Sequence, residues 1–293
     1  MKGVTISLLT LTLEYSHICF NMKKLCLSAF LLGLNCLVFS QNNSGFSEAI
    51  EDNSYFIEEA YNQEDRVVQH ISNCYMTEKP SKDISYSFTQ EWPFFSQKHQ
   101  LSYTLVYSWL SSNTINGIGD FMINYRYQLF TKSNWAAVAP RLSIILPTGD
   151  HNKSLGNGTL GWQVNIPVSK RISNELVTHF NAGFTFLPDV KFTDNSSNDY
   201  KRSLHSINVG ASAIWLLAQN FNFMLEYLST FNYQPDVVGK MSYNHQGLVN
   251  PGVRYAINLN KLQIVPGLSV PLAFSKDNRS VNIFFYLSFE HPF

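Results

Sequence analysis

From residue 67 onward, apolar and polar residues alternate with period two in one stretch after another, the mark of strands with one apolar and one polar face. In 121–129, Phe121, Ile123, Tyr125, Tyr127 and Leu129 share a face, while Met122, Asn124, Arg126 and Gln128 share the other. In 160–168, Leu160, Trp162, Val164, Ile166 and Val168 oppose Gly161, Gln163 and Asn165. In 281–290, Val281, Ile283, Phe285, Leu287 and Phe289 oppose Asn282, Phe284, Tyr286, Ser288 and Glu290. The same alternation marks 84–91, 101–110, 136–146, 176–186, 207–217, 221–230, 249–257 and 262–272, and more weakly 67–75. Twelve strands are thereby predicted. Most are longer than the five or six residues usual in soluble proteins and match the roughly nine to eleven that a tilted strand needs to cross a bilayer.

The connections follow strand parity. Short links are predicted at 93–98, 131–134, 169–174, 218–220 and 258–261, and longer loops at 111–118, 147–159, 187–203 and 232–246. Membrane barrels have short turns at the periplasmic end and longer loops outside, whereas a soluble secreted sandwich, the competing reading, has no reason to alternate them. Aromatic residues gather at both strand ends: Phe94, Phe95, Phe130, Trp135, Trp215 and Phe221 near the short links, and Trp109, Trp162, Phe186 and Phe231 near the long ones. Backbone groups in lipid all need partners, so spanning strands must close on themselves. The expected fold is all-β, a closed antiparallel transmembrane β-barrel of about twelve strands over 67–293. Pro140, Pro167, Pro251, Pro266 and Pro271 are expected at bulges or strand ends.

Composition agrees. Only 14% of the residues are charged while 14% are aromatic, and mean hydropathy is −0.10, too low for a bundle of membrane helices and too apolar for disorder. Lys+Arg and Asp+Glu both number 21, which argues against a nucleic-acid partner.

Near the N-terminus, Met22-Lys23-Lys24 precedes an apolar run from Leu25 to Phe39, and Val38 and Ser40 suit cleavage before Gln41. This reads as a signal peptide over 22–40. The apolar run is short for a membrane anchor, and Leu34-Asn35 before Cys36 does not suit lipoprotein processing. Residues 1–21 read as an upstream extension or a misassigned start. Cleavage leaves Cys74 as the sole cysteine, which excludes an intramolecular disulfide. Residues 41–66 read as an acidic periplasmic arm, with Glu48, Glu51, Asp52, Glu58, Glu59, Glu64 and Asp65 against Arg66. Ser54 could cap a short helix carrying Phe56, Ile57, Ala60 and Tyr61 on one face. The arm tucks against the barrel rim, or, on a sharper reading, enters the lumen as a plug.

Gly117-Ile118-Gly119-Asp120 leads into Asn124-Tyr125-Arg126-Tyr127, and Pro140-Arg141-Leu142-Ser143-Ile144-Ile145-Leu146-Pro147-Thr148-Gly149-Asp150 follows. Trp162 to Lys170 and His179-Phe180-Asn181-Ala182-Gly183 continue in order. Over about 83–293 this resembles the transporter-type outer-membrane barrels named for the MetA pathway of phenol degradation. The resemblance implies a narrow barrel acting as channel or transporter for small molecules, apolar or aromatic ones included.

Other chemistry is weakly signalled. Gly117-x-Gly119-x-x-Met122 lacks the third glycine of a dinucleotide loop and opens a strand. The eight histidines show no metal-ligand spacing, and no cofactor is expected. A lipid hydrolase, with His205 beside Ser203 or Ser206 on the lipid-facing wall, is the enzymatic alternative, and a structural barrel without transport is another. The main reading is a porin-like, non-enzymatic channel of the bacterial outer membrane. Its lumen-lining candidates are Asn124, Arg126, Arg141, His179, Glu226, Arg254 and Glu290. Its expected partners are outer-membrane lipid, the barrel-assembly machinery through Phe293, and a small-molecule solute.

Overall fold

The computed structural model describes residues 50, 54–78, 81–110, 114–193, 199–235 and 240–293; the expected signal peptide and upstream extension lie outside them. Twelve antiparallel strands close into a barrel. β1 is Val67–Met76, β2 Ile84–Phe94 and β3 Ser96–Leu110. β4 comprises Ile115–Ile118 and Phe121–Tyr127, and β5 comprises Ala137–Val138 and Arg141–Leu146. β6 is Gly161–Arg171, β7 Leu176–Thr193, β8 Asp199–Ala218 and β9 Phe221–Pro235. β10 comprises Met241–Tyr255 and Ile257–Leu259, β11 Leu262–Ser269 and Leu272–Ser275, and β12 Arg279–Val281 and Ile283–Pro292. Each strand pairs with the next, and β12 returns to β1 in register from Val67↔Pro292 to Met76↔Ile283. Phe293 then donates its N–H to the Arg66 carbonyl at 2.9 Å.

The pleat sorts side chains as the alternation requires. Asn124 and Arg126 are buried inside while Ile123, Tyr125 and Tyr127 are exposed outside. On β6 and β7 the outer set is Trp162, Val164, Ile166, Phe180 and Phe184. An apolar surface this continuous is not tolerated in water and fits lipid contact.

Two of the expected loops are corrected. Strand pairing continues through most of 187–203 and 232–246, with Leu204↔Leu187 and Phe231↔His245 in register. Above the apolar band both faces meet water, so the hydropathy alternation fades while the backbone ladder persists. The link at 93–98 is also shorter than expected: Phe95 alone separates β2 from β3, in the left-handed region at φ 64°, a conformation unfavourable for an aromatic residue. Asn260, better suited to that region, turns β10 into β11 at φ 37°. Pro140 and Pro271 fall at the interruptions of β5 and β11, where Tyr127 and Asn282 donate to their carbonyls at 3.0 and 2.9 Å. Pro167, Pro251 and Pro266 lie within strands, against the expectation of strand ends.

Candidate functional site

The lumen holds residues 54–63, in line with the sharper of the two readings of the arm and not with its place on the rim. The expected helix is absent too, because the segment runs as a bent thread. A buried backbone without helix or sheet needs other partners for its polar groups, and side chains on five strands, β3, β4, β6, β7 and β9, supply them together with Gln128 just past β4. Tyr55, Phe56 and Ile57 donate their N–H groups to one oxygen, Glu226 Oε1, at 3.0, 2.9 and 3.1 Å. Three successive N–H groups converging on one anion form a nest. Glu226 Oε2 accepts from Asn250 at 2.6 Å. Asn181 grips Glu58 twice, accepting from its N–H and donating to its carbonyl, both at 2.8 Å. Ser169 Oγ accepts from the Ala60 N–H at 2.7 Å and lies 2.6 Å from His179 Nδ1. Gln128 donates to the Ala60 carbonyl at 2.7 Å and accepts from the Asn62 N–H at 2.9 Å. Gln100 accepts from the Gln63 N–H at 2.7 Å.

The acidic residues of the segment meet lumen arginines. Arg126 donates from Nε to Asn62 Oδ1 at 3.0 Å and from Nη2 to the Tyr61 carbonyl at 2.6 Å. Its Nη1 reaches the Glu59 carbonyl at 3.1 Å and the Glu59 carboxylate at 3.2 Å, and Glu91 lies 3.8 Å from Nη2. Arg141 takes both Glu58 oxygens, at 3.0 Å from Nε and 2.5 Å from Nη2, and also bonds Asn124, Gln163 and Ser143. Burial pushes the Glu58 carboxyl up, but Arg141 beside it and Arg126 further off prevail and hold it below the usual carboxylate range. Its share in seating the segment is therefore complete above the ordinary carboxylate pKa and is lost as pH falls through the lowered value. Conductance rising on acidification is the expected result, reduced in Glu58→Gln.

Of the sequence candidates, Asn124, Arg126, Arg141, His179, Glu226 and Arg254 surround the thread. His179 is fully buried, with its ring 6.0 Å from that of Tyr61, and Arg254 donates to the Ile50 carbonyl at 3.0 Å. Glu290 stands apart, half-buried and in register with Gln69 and Gln263 near the β1–β12 seam.

Sequence reasoning missed Gln69, Glu91, Gln100, Gln128 and Ser169, and also three glycines. A Cβ on Gly210 would strike Ile57, and Cβ atoms on Gly252 and Gly267 would strike Tyr55. These glycines occupy inward positions in β8, β10 and β11, and a glycine where neighbouring strands carry polar lumen residues is the signal that could have revealed them. Tyr55 settles there with its hydroxyl donating to the Val253 carbonyl at 2.5 Å and its ring 5.3 and 5.4 Å from Phe284 and Tyr286. Gly267→Val is expected to unseat Tyr55 and raise channel conductance while the barrel stays folded, as checked by planar-bilayer recording beside circular dichroism.

Between the thread and the wall formed by β1 to β5 lies a cavity of about 240 Å³. Glu58, Glu59 and Glu91 reach it, as do Arg126 and Arg141, together with the hydroxyl and amide groups of Thr89, Ser102, Thr104, Asn73 and Gln100.

The alternative Ser–His pair is not assembled on Ser206, because adjacent strand residues face opposite sides, while Ser203 sits at a register shift in the β7–β8 ladder. His205 lies on the outer wall against Tyr233, with Nε2 3.0 Å from the Tyr243 hydroxyl. Ser229 and His245 do approach to 2.7 Å on that wall. However, Ser229 is only 4% exposed and sits within the ladder between Val209 and Gly247. The strand backbone around it is committed to pairing and does not form an oxyanion hole.

The sequence matches no protein-family model and no curated protein. In structure, the chain is similar to the COG4313 outer membrane channel from Pseudomonas putida F1, at 11% identity and TM-score 0.58, over 86% of this chain and 100% of that one. It is more distantly similar to the NanC porin, at 9% identity and TM-score 0.48 over 77% and 100% of the two chains. The KdgM porin gives 9% identity and TM-score 0.44 over 78% and 99%. The first likeness is one of fold, a closed antiparallel β-barrel in both chains.

Proposed function

We propose that this chain is an outer-membrane channel for small molecules, with residues 54–63 narrowing its lumen, and that it belongs to the MetA-pathway family it resembles. The observation that carries the reading is a closed barrel with an apolar exterior and a polar interior that keeps a cavity beside an internal thread. A merely structural barrel could fill its core with packed side chains. Here the wall side chains bind a piece of the chain's own backbone instead. The tight turns then face the periplasm, because both the exit of the thread and Phe293 lie at that end. The resemblance alone suggests apolar or aromatic solutes.

Purified protein in planar bilayers tests this. Discrete single-channel currents are expected, and deletion of residues 54–63 should enlarge them. Silent membranes from folded protein would overturn the channel reading. Assembly is proposed to depend on Phe293, whose side chain is 68% exposed just past the last strand. Deleting it is expected to lower the amount of heat-modifiable barrel in outer-membrane fractions severalfold.

A further inference from the structure

We propose that the cavity beside residues 54–59 is a solute subsite for a small, uncharged, hydroxylated molecule of pentose size. This rests on the channel reading. Three features of the lining carry it.

The first is that the charges are already occupied. The N–H groups of Arg126 point to Glu59, Asn62 and the Tyr61 carbonyl, and those of Arg141 to Glu58, Asn124, Ser143 and Gln163. An anionic solute must displace an internal partner of these arginines and leave a buried charge uncompensated, which is costly.

The second is that the rest of the barrel wall is hydroxyl and amide. Thr89 and Thr104 face each other at 2.9 Å between their Oγ1 atoms, and Ser102 Oγ accepts from Asn124 at 3.1 Å. Gln100 donates to Glu91 at 2.8 Å. Among the described residues, the buried Asn73 Oδ1 has no hydrogen-bond partner. Threonine and serine hydroxyls both donate and accept, whereas Asn73 Oδ1 only accepts. A hydroxylated solute satisfies both kinds of group. An apolar solute would strip water from them and give nothing back. Ile71 and Met122 are the apolar side chains that β1 to β5 contribute, while Tyr55, Phe56 and Ile57 of the thread and Tyr286 of β12 form the cavity's more apolar side.

The third is size. At roughly 30 Å³ per water, a cavity of about 240 Å³ has the volume of about eight waters, and because bonded atoms pack closer than separate waters it accommodates a solute of about ten non-hydrogen atoms.

The test is swelling of proteoliposomes containing the full-length channel, in arabinose, glycine or potassium benzoate, with KCl conductance measured on the same preparation. Arabinose is expected to enter fastest. In the Thr89→Val/Thr104→Val double variant, and separately in Ser102→Ala, the ratio of arabinose entry to KCl conductance should fall about fivefold, the size of one lost hydrogen bond. Ion conductance with arabinose no faster than glycine or benzoate overturns the subsite and leaves the channel standing. So does an unchanged ratio in both variants. Absence of any KCl conductance overturns the channel reading itself, and the subsite with it.

Discussion

Glu226→Ala is expected to raise single-channel conductance severalfold in planar bilayers. The carboxylate is buried and accepts the N–H groups of Tyr55, Phe56 and Ile57 on one oxygen and the Asn250 amide on the other. Its removal strands four donors, and each unsatisfied buried group costs about 1–3 kcal/mol. The thread recovers those hydrogen bonds only by reaching water, which means leaving the wall. Glu226→Gln keeps one acceptor oxygen in place and is expected to fall between alanine and the native residue. Native conductance in the alanine variant would show that the thread is held elsewhere.

Arg126→Ala is expected to produce the largest loss of thermal stability among lumen substitutions. It leaves Glu59 and Glu91, with side chains only 5% and 14% exposed, without their shared cation. Breaking a buried pair from one side costs about 3–5 kcal/mol. Arg126→Lys should restore only part of this, because a single ammonium does not span Asn62, Glu59 and the Tyr61 carbonyl as the guanidinium fork does. The check is the temperature at which the protein in detergent loses its heat-resistant gel mobility. An unaltered transition in Arg126→Ala would mean that the carboxylates find other compensation.

The barrel was legible in the sequence because a bilayer imposes alternation residue by residue. Phe121 to Gln128 declares which side of β4 meets lipid without reference to any other strand. The positions of Arg126, Arg141 and Glu226 on polar faces were equally plain. The thread was hidden, for a physical reason. Its hold on the barrel is mostly through its own backbone, at Tyr55 to Ile57, Glu58, Ala60 and Asn62, and backbone bonding leaves no side-chain period to read. Its acids suggested an exposed arm, since Glu58 and Glu59 find their cations more than sixty positions away. Even the helix-like start at Ser54 was deceptive. Ser54 Oγ meets Ser212 Oγ at 2.7 Å, and Glu226 takes the N–H groups that a first helical turn would leave free. The long hairpins β7–β8 and β9–β10 were truncated in the sequence reading because polarity on both faces looks like loop once the strand rises beyond the apolar band.

The last lumen contact of the thread is Gln63 and the first strand begins at Val67, only Glu64, Asp65 and Arg66 later. Three residues extend at most about 10 Å, so the thread is not placed independently of β1. β1 in turn completes the wall only by pairing with β12, more than two hundred positions along the chain. Seam closure therefore fixes the point from which the thread enters the lumen. A barrel stalled before its seam zips would still have its thread loose, and so would be leaky as well as unfinished.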